Sequence, residues 1–305
     1  MMSSAPRVRL ADNGPEFSRI VLGLWRLAEW NMSPQQRLAF LEQALDAGIT
    51  TIDQADIYGD YQSETLLGEA LRLSPTLRSR FQFVSKCGIK LLSANRPAHR
   101  IQHYDTSRSH IIASAERSLQ AMGIDTLDLL LIHRPDPLMD ADEMAEAFFH
   151  LRQSGKVKYF GVSNFTVSQF ELLASRIPLV TNQVELSLLR MDALQDGSLD
   201  LCQRLRILPM IWSALGGGAL VSEGQTSNPA VLRLRPVLQE LSHQLNLPVA
   251  SIALSWVLQH PSRPLVLTGS GRAQAIREAV LACSHRLSRE HWFALWCAAT
   301  GHGVP

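Results

Sequence analysis

Four ionisable residues, Asp53, Tyr58, Lys86 and His133, each stand at or just beyond the end of a short apolar run. A tyrosine donates a proton usefully only if its pKa, about 10 when unperturbed, is brought toward the working pH. A nearby ammonium favours the phenolate, and a carboxylate paired to that ammonium keeps the lysine charged and fixed. Lowering the tyrosine by two units corresponds to roughly 2.7 kcal/mol of differential interaction, within reach of a partly buried pair. A neighbouring histidine then orients a carbonyl oxygen as a second donor to developing negative charge. The set describes protonation of a carbonyl as it receives a hydride. No side chain supplies a hydride, so the chemistry calls for a nicotinamide cofactor. Singly, each residue is weak evidence, because a polar residue after an apolar run is more often a loop start or a helix cap. Convergence decides, and convergence depends on the elements that carry them.

Short runs rich in β-branched and aromatic residues predict strands at Ile20–Gly23, Thr50–Asp53, Phe81–Lys86, Leu127–His133, Lys158–Val162, Val180–Val184, Leu208–Trp212 and Leu265–Thr268. Several are apolar on consecutive residues, as parallel strands buried on both faces require. Helical patterns fill the gaps. Ser33-Pro34-Gln35-Gln36 has the capping-box form, followed by Leu38, Leu41 and Leu45 on one face. Eight strands alternating with helices, without a Pro/Gly/Ser-rich linker, predict an α/β fold: a single (β/α)8 TIM barrel over residues 1–305. The competing doubly wound sheet wants G-x-G-x-x-G after an early strand, and none follows the first. Gly88–Ser107, Leu186–Gly197 and Gly216–Asn228 form long loops on the C-terminal face, where barrel active sites are built. Ser288–Ala299 reads as an extra C-terminal helix.

Composition bounds the partners. The 305 residues carry 29 basic and 28 acidic side chains, a net charge of +1. No field is available to hold nucleic acid or an anionic membrane. No apolar run reaches the length of a membrane span, and Met1 to Leu10 lacks the apolar core of a secretory signal. Four scattered cysteines without a Cys-x-x-Cys pair fit reduced thiols in a cytoplasm. A cytoplasmic protein acting on a small molecule is expected, as a monomer or weak homo-oligomer. His99 and His103 have i,i+4 spacing but no third ligand, so no metal site is assigned.

Five motifs in order carry a family resemblance: Ile52-Asp53-Gln54-Ala55-Asp56-Ile57-Tyr58-Gly59, Val84-Ser85-Lys86, Asp125 to His133, Gly155 to Phe165, and Asn182-Gln183-Val184-Glu185. From Ser18 to about Ala279 the chain resembles the aldo-keto reductases, in particular a bacterial branch of predicted oxidoreductases. The resemblance implies Tyr58 as general acid, Lys86 as its pKa depressor, Asp53 as the lysine's partner and His133 as the substrate orienter. It implies NADP(H) as cofactor. Ser163, Asn164 and Gln183 match residues that hydrogen-bond the nicotinamide carboxamide, and Trp212 matches an aromatic that stacks on its ring. Ser213 and the backbone from Leu215 through Gly217 to Gly218 match the pyrophosphate contacts, where glycines admit close approach. Ser270 and Arg272 resemble the clamp on the adenosine 2′-phosphate, with Gln274 and Glu278 near the adenine. Ala275 stands where an arginine is common, so Arg272 must supply most of the positive charge.

Trp25 and Trp30 are candidate substrate-pocket walls, with Tyr58 and His133 at its floor. The expected reaction is reduction of a small-molecule aldehyde or ketone to an alcohol. Two other readings stand beside it. One is an NADP(H)-binding, redox-sensing regulatory subunit with slow turnover, as in channel-associated relatives. The other is a barrel isomerase or lyase using Lys86 as a Schiff base, which needs Lys86 free of Asp53.

Overall fold

The computed structural model describes residues 4–304. All eight apolar runs are strands of one closed barrel: β1 (Ile20–Gly23), β2 (Thr51–Asp53), β3 (Gln82–Cys87), β4 (Leu127–Ile132), β5 (Val157–Ser163), β6 (Asn182–Glu185), β7 (Met210–Trp212) and β8 (Leu265–Thr268). Each pairs in parallel with its sequence neighbours, and β8 closes on β1 through Val266↔Ile20 and Thr268↔Leu22. β7 begins at Met210, two residues later than the apolar run suggested, because Pro209 has no N–H to add to a ladder.

Ten helices of eight residues or more surround the described barrel: α1 (Pro34–Asp46), α2 (Ser63–Leu73), α3 (Arg108–Met122), α4 (Ala141–Gln153), α5 (Val167–Ala174), α6 (Ser198–Leu205), α7 (Pro229–Leu245), α8 (Val249–Leu258), α9 (Ala273–Ala282) and α10 (Arg289–Thr300). The Ser33 capping box is present, with reciprocal bonds to Gln36. α3 ends at Gly123 in the left-handed conformation. The terminal helix α10 is pinned to the barrel side by two indoles. Trp256 and Trp292 stack at 4.7 Å, and each Nε1 donates to the other's carbonyl at 3.1 Å.

Inside the barrel, the strand period of two sorts the core into levels. Val21, Val84, Leu129, Leu131, Met210 and Leu265 form an apolar lower cluster. One step further along the same inward rows come Lys86 after Val84, His133 after Leu131 and Trp212 after Met210. Register places Asp53 beside Val84 and Gln183 beside Ser163. A polar layer thus sits directly on an apolar one, at the C-terminal mouth.

The other end is closed by an element the sequence pattern did not disclose. Arg7–Arg9 and Glu16–Ser18 form an antiparallel hairpin. It drives Leu10 and Phe17, both fully buried, into the lower apolar cluster. The Leu208 amide donates to the Leu10 carbonyl at 2.7 Å, tying this plug to the barrel wall.

Candidate active site

Lys86 is fully buried and its ammonium is divided among three oxygens. Nζ donates to Asp53 Oδ1 at 2.5 Å, to the Gln54 carbonyl at 2.9 Å and to the Tyr58 hydroxyl oxygen at 3.0 Å. Tyr58 reaches it from a one-turn helix, Tyr58–Tyr61, in which Gly59, Asp60 and Tyr61 are all left-handed. Gly59 is obligatory there: a Cβ would lie 2.5 Å from Ser63 Oγ and 2.9 Å from Ala28 Cβ. His133 presents its ring edge-on to Tyr58, with centroids 5.7 Å apart. The four residues named from the strand ends therefore do converge. A Schiff-base role for Lys86 finds no support, since all three ammonium hydrogens have acceptors.

The electrostatics differ from expectation at one residue. Burial raises the Tyr58 pKa above its ordinary value, and the Lys86 ammonium only partly offsets this. In the free protein the lysine therefore limits an increase and does not produce a net depression. Burial alone would lower Lys86, but Asp53 and Tyr58 outweigh it and hold the ammonium above its ordinary pKa. His133 is held well below the usual histidine range by burial, then by the charges of Lys86 and Arg134. Its ring is neutral at physiological pH. His133 Nδ1 is buried without a partner. An orphaned acceptor lone pair is tolerated better than an orphaned N–H, so the hydrogen belongs on Nε2, where it can be donated into the cleft.

A cleft of about 1160 Å³ runs from this cluster across the barrel mouth. Asp53, Tyr58, His133, Ser163, Gln183, Trp212 and Ser213 line its inner half, and Trp25 lies at its exposed rim. Leu215, Gly217, Gly218, Ser270, Arg272 and Glu278 line the outer half. Asn164 and Gln274 lie off the lining. The Asn164 amide donates to Ser163 Oγ at 2.7 Å and accepts from Trp212 Nε1 at 3.2 Å, which fixes the indole. Gln274 is exposed and engages Glu278 and Arg277. Gln183, expected to face a carboxamide, gives its amide nitrogen to Asp53 Oδ2 at 2.8 Å.

The residues present fit a nicotinamide dinucleotide. Gly217 and Gly218 line the cleft with positive φ, and a Cβ added at either meets nothing within 4 Å, so this stretch leaves room for a ligand beside its backbone. Ser213 and Asn164 are left-handed too, at φ 53° and 58°, a conformation that non-glycine residues adopt mainly at functional turns. Among the described residues, no group of three His, Cys, Asp or Glu is arranged to hold a metal ion.

Two cleft arginines escaped the sequence reading. The Arg134 guanidinium lies 5.4 Å from the Trp212 ring centroid. Arg26 reaches across to the Gly217 carbonyl at 3.4 Å. Arg134 immediately follows His133 at a strand end, which was a usable signal. Nothing local marks Arg26.

Barrel and site together define a (β/α)8 oxidoreductase. The chain belongs to the aldo/keto reductase family, whose profile matches residues 19–295. Over 302 residues it is 52% identical to oxidoreductase YdhF of Escherichia coli, covering 98% of this chain and 99% of that one. It is 42% identical to a 6-dehydroglucose reductase of Agrobacterium fabrum, again covering 98% and 99% of the two chains. Among solved structures, a thermostable aldo-keto reductase in complex with epalrestat superposes with a TM-score of 0.78 at 27% identity, covering 96% of this chain and 99% of that one. A glycerol dehydrogenase of Gluconobacter oxydans gives 0.85 at 24% identity, covering 97% and 95%, and shares the fold. Members of this family generally use a nicotinamide cofactor on small-molecule carbonyls. No described helix is long and apolar enough to cross a membrane.

Proposed function

We propose that this protein is an NADPH-dependent reductase of an aldehyde or ketone, working as one cytoplasmic barrel domain. The observation that carries the reading is the Lys86 ammonium bridging Asp53 and the Tyr58 hydroxyl. NADPH, when bound, supplies the hydride. Trp212, Ser163 and Gln183 would hold its nicotinamide end, Ser213 and the Leu215–Gly218 backbone its pyrophosphate, and Ser270 with Arg272 its 2′-phosphate.

Lys86 donates to the Tyr58 oxygen, so the phenolic hydrogen is free to point into the cleft. Tyr58 gives that hydrogen to the substrate oxygen. Lys86 stabilises the phenolate left behind, and Asp53 keeps the lysine charged throughout. Neutral His133 donates from Nε2 to the same oxygen, orienting it and stabilising the charge that develops there. Trp25, exposed at the rim, walls the substrate side. The name of the Agrobacterium relative points to the aldehyde of an oxidised sugar as the first carbonyl to assay.

The test is NADPH oxidation over a panel of sugar-derived and simple aldehydes, comparing wild type with Tyr58→Phe. Removing a general acid is expected to lower kcat by about 10²–10⁴-fold. Equal turnover by the two proteins would sink the role given to Tyr58. Stoichiometric NADP(H) binding with negligible turnover on every carbonyl would favour the regulatory-subunit reading instead.

A further inference from the structure

A second cavity, of about 550 Å³, lies between α2, α3 and the long loop after β3. Its lining mixes apolar with polar side chains, the latter including Asp56 and Glu64, Arg96 and His99 from the loop, and His110 and Arg117 from α3. Arg117 has no ion-pair partner among the described residues. Arg96 lies 4.4 Å over the Tyr61 ring and is likewise unmatched by a carboxylate at ion-pair distance. His99 Nδ1 donates to the Leu91 carbonyl at 2.9 Å, which leaves Nε2 of a neutral ring as an acceptor. His110 Nε2 is buried with no partner, which by the same reasoning as for His133 places the hydrogen of the neutral ring on Nδ1, toward Asp105 at 3.9 Å, and leaves Nε2 an acceptor.

One buried acceptor is also orphaned. Asp56 is 9% exposed; its Oδ2 accepts from Ser114 Oγ at 2.5 Å, while Oδ1 has no partner. Glu64 is already engaged by Ser85 at 2.6 Å. A buried polar atom without a partner costs about 1–3 kcal/mol, so Oδ1 calls for a donor from whatever fills the cavity. The occupant must therefore accept from two guanidinium groups and, on another atom, donate to a carboxylate.

We propose that this cavity binds hydrogen phosphate, with its bare oxygens on Arg96 and Arg117 and its P–OH donating to Asp56 Oδ1. Sulfate carries no proton and would set a bare oxygen against the carboxylate. A phosphomonoester is mostly a proton-free dianion at neutral pH, its second pKa being about 6, and is disfavoured in the same way. The site is separate from the catalytic cleft but shares one wall with it: Ile89 lines both cavities. Phosphate bound here would tie down the loop whose Ile89 and Leu91 line the catalytic cleft.

The test is calorimetric titration of the full chain with inorganic phosphate, sulfate and glycerol phosphate at neutral pH, with and without saturating NADP⁺. Wild type is expected to bind phosphate at least about tenfold more tightly than either of the others, with NADP⁺ not displacing it. Arg117→Gln is expected to weaken phosphate by about tenfold or more, because it removes a charge-assisted donor. Asp56→Asn can turn an N–H toward the anion and is expected to collapse the preference over sulfate. If that variant fails to fold, the wild-type selectivity and Arg117→Gln still decide. No saturable phosphate binding, equal affinity for sulfate, displacement by NADP⁺, or unchanged binding in Arg117→Gln would each overturn the assignment.

Discussion

Gln183 Nε2 donates to Asp53 Oδ2 at 2.8 Å while Lys86 holds Oδ1 of the same carboxylate. Asp53 therefore couples β2 to β3 and, across the barrel mouth, to β6. Both its oxygens are committed, and neither is left to compete for the Tyr58 proton.

Neutralising this carboxylate has a clear expected outcome. Asp53→Asn leaves the fully buried Lys86 without a counter-charge, and burial alone pushes that ammonium's pKa down. Removing one partner of a buried pair typically costs about 3–5 kcal/mol. Urea unfolding of Asp53→Asn is expected to show a loss of that size, together with a large fall in turnover. A stability within 1 kcal/mol or so of wild type, the usual range for an exposed pair, would mean that Asp53 is not the lysine's main counter-charge.

The pH profile of carbonyl reduction follows from two shifts. The acid form of Tyr58 is required, and its pKa stands above the ordinary value, so the proton is retained through the neutral range. The His133 pKa stands well below the ordinary value, so the ring does not change charge near neutrality. For reduction, kcat/KM is expected to be flat from about pH 6 to 9 and to fall only on the alkaline side. An acid limb near pH 6.5 that vanishes in His133→Gln would show that the histidine titrates. Stability carries the matching sign. The unfolded histidine binds a proton that the folded one refuses, so stability is lost as pH falls below about 6.5 toward the folded pKa.

How far the site could be read in advance depended on local geometry. Lys86 and His133 were legible because each continues an inward row, after Val84 and Leu131, past the point where the apolar layer ends. The N-terminal hairpin was not. Its strands are three residues long with charged ends, Arg7, Arg9 and Glu16, and Leu10 and Phe17 bury fully only as a plug in a barrel built by later residues. Arg134 was missed because alternation from Leu131 and His133 assigns it to the outward row, whereas the strand ends at Ile132 and Arg134 lines the cleft. The Tyr58 shift was unreadable, because the balance between burial and the ammonium depends on how deeply the side chain sits.

Gly68 offers a test of packing against propensity. It lies inside α2, where alanine would be favoured by about 1 kcal/mol on helix propensity. A Cβ there would stand 2.2 Å from the Ala121 carbonyl oxygen and 3.0 Å from Met122 Cα, so α2 and α3 approach too closely to admit it. Gly68→Ala is expected to destabilise by about 1–3 kcal/mol, the reverse of the propensity effect. Thermal unfolding gives the sign directly, and an increased Tm would show that the helices separate without penalty.

The proposed preference for NADPH rests on Arg272. It is the cleft-lining cation at the start of α9, its backbone N–H donates to Ser270 Oγ at 3.4 Å, and Ala275 offers no second charge nearby. The overall charge of +1 provides no general attraction for a polyanion, so selection of a 2′-phosphate has to be local. A hydrogen bond to a charged group contributes about 1.5–3 kcal/mol, which is roughly 10- to 150-fold in affinity. Arg272→Ala is expected to weaken NADPH by that factor and to leave NADH within about twofold, so preference narrows from one side. Fluorescence titration of both cofactors measures it. Equal weakening of NADPH and NADH would place Arg272 on a part common to the two, and the 2′-phosphate contact would then have to be sought on another residue of the outer cleft.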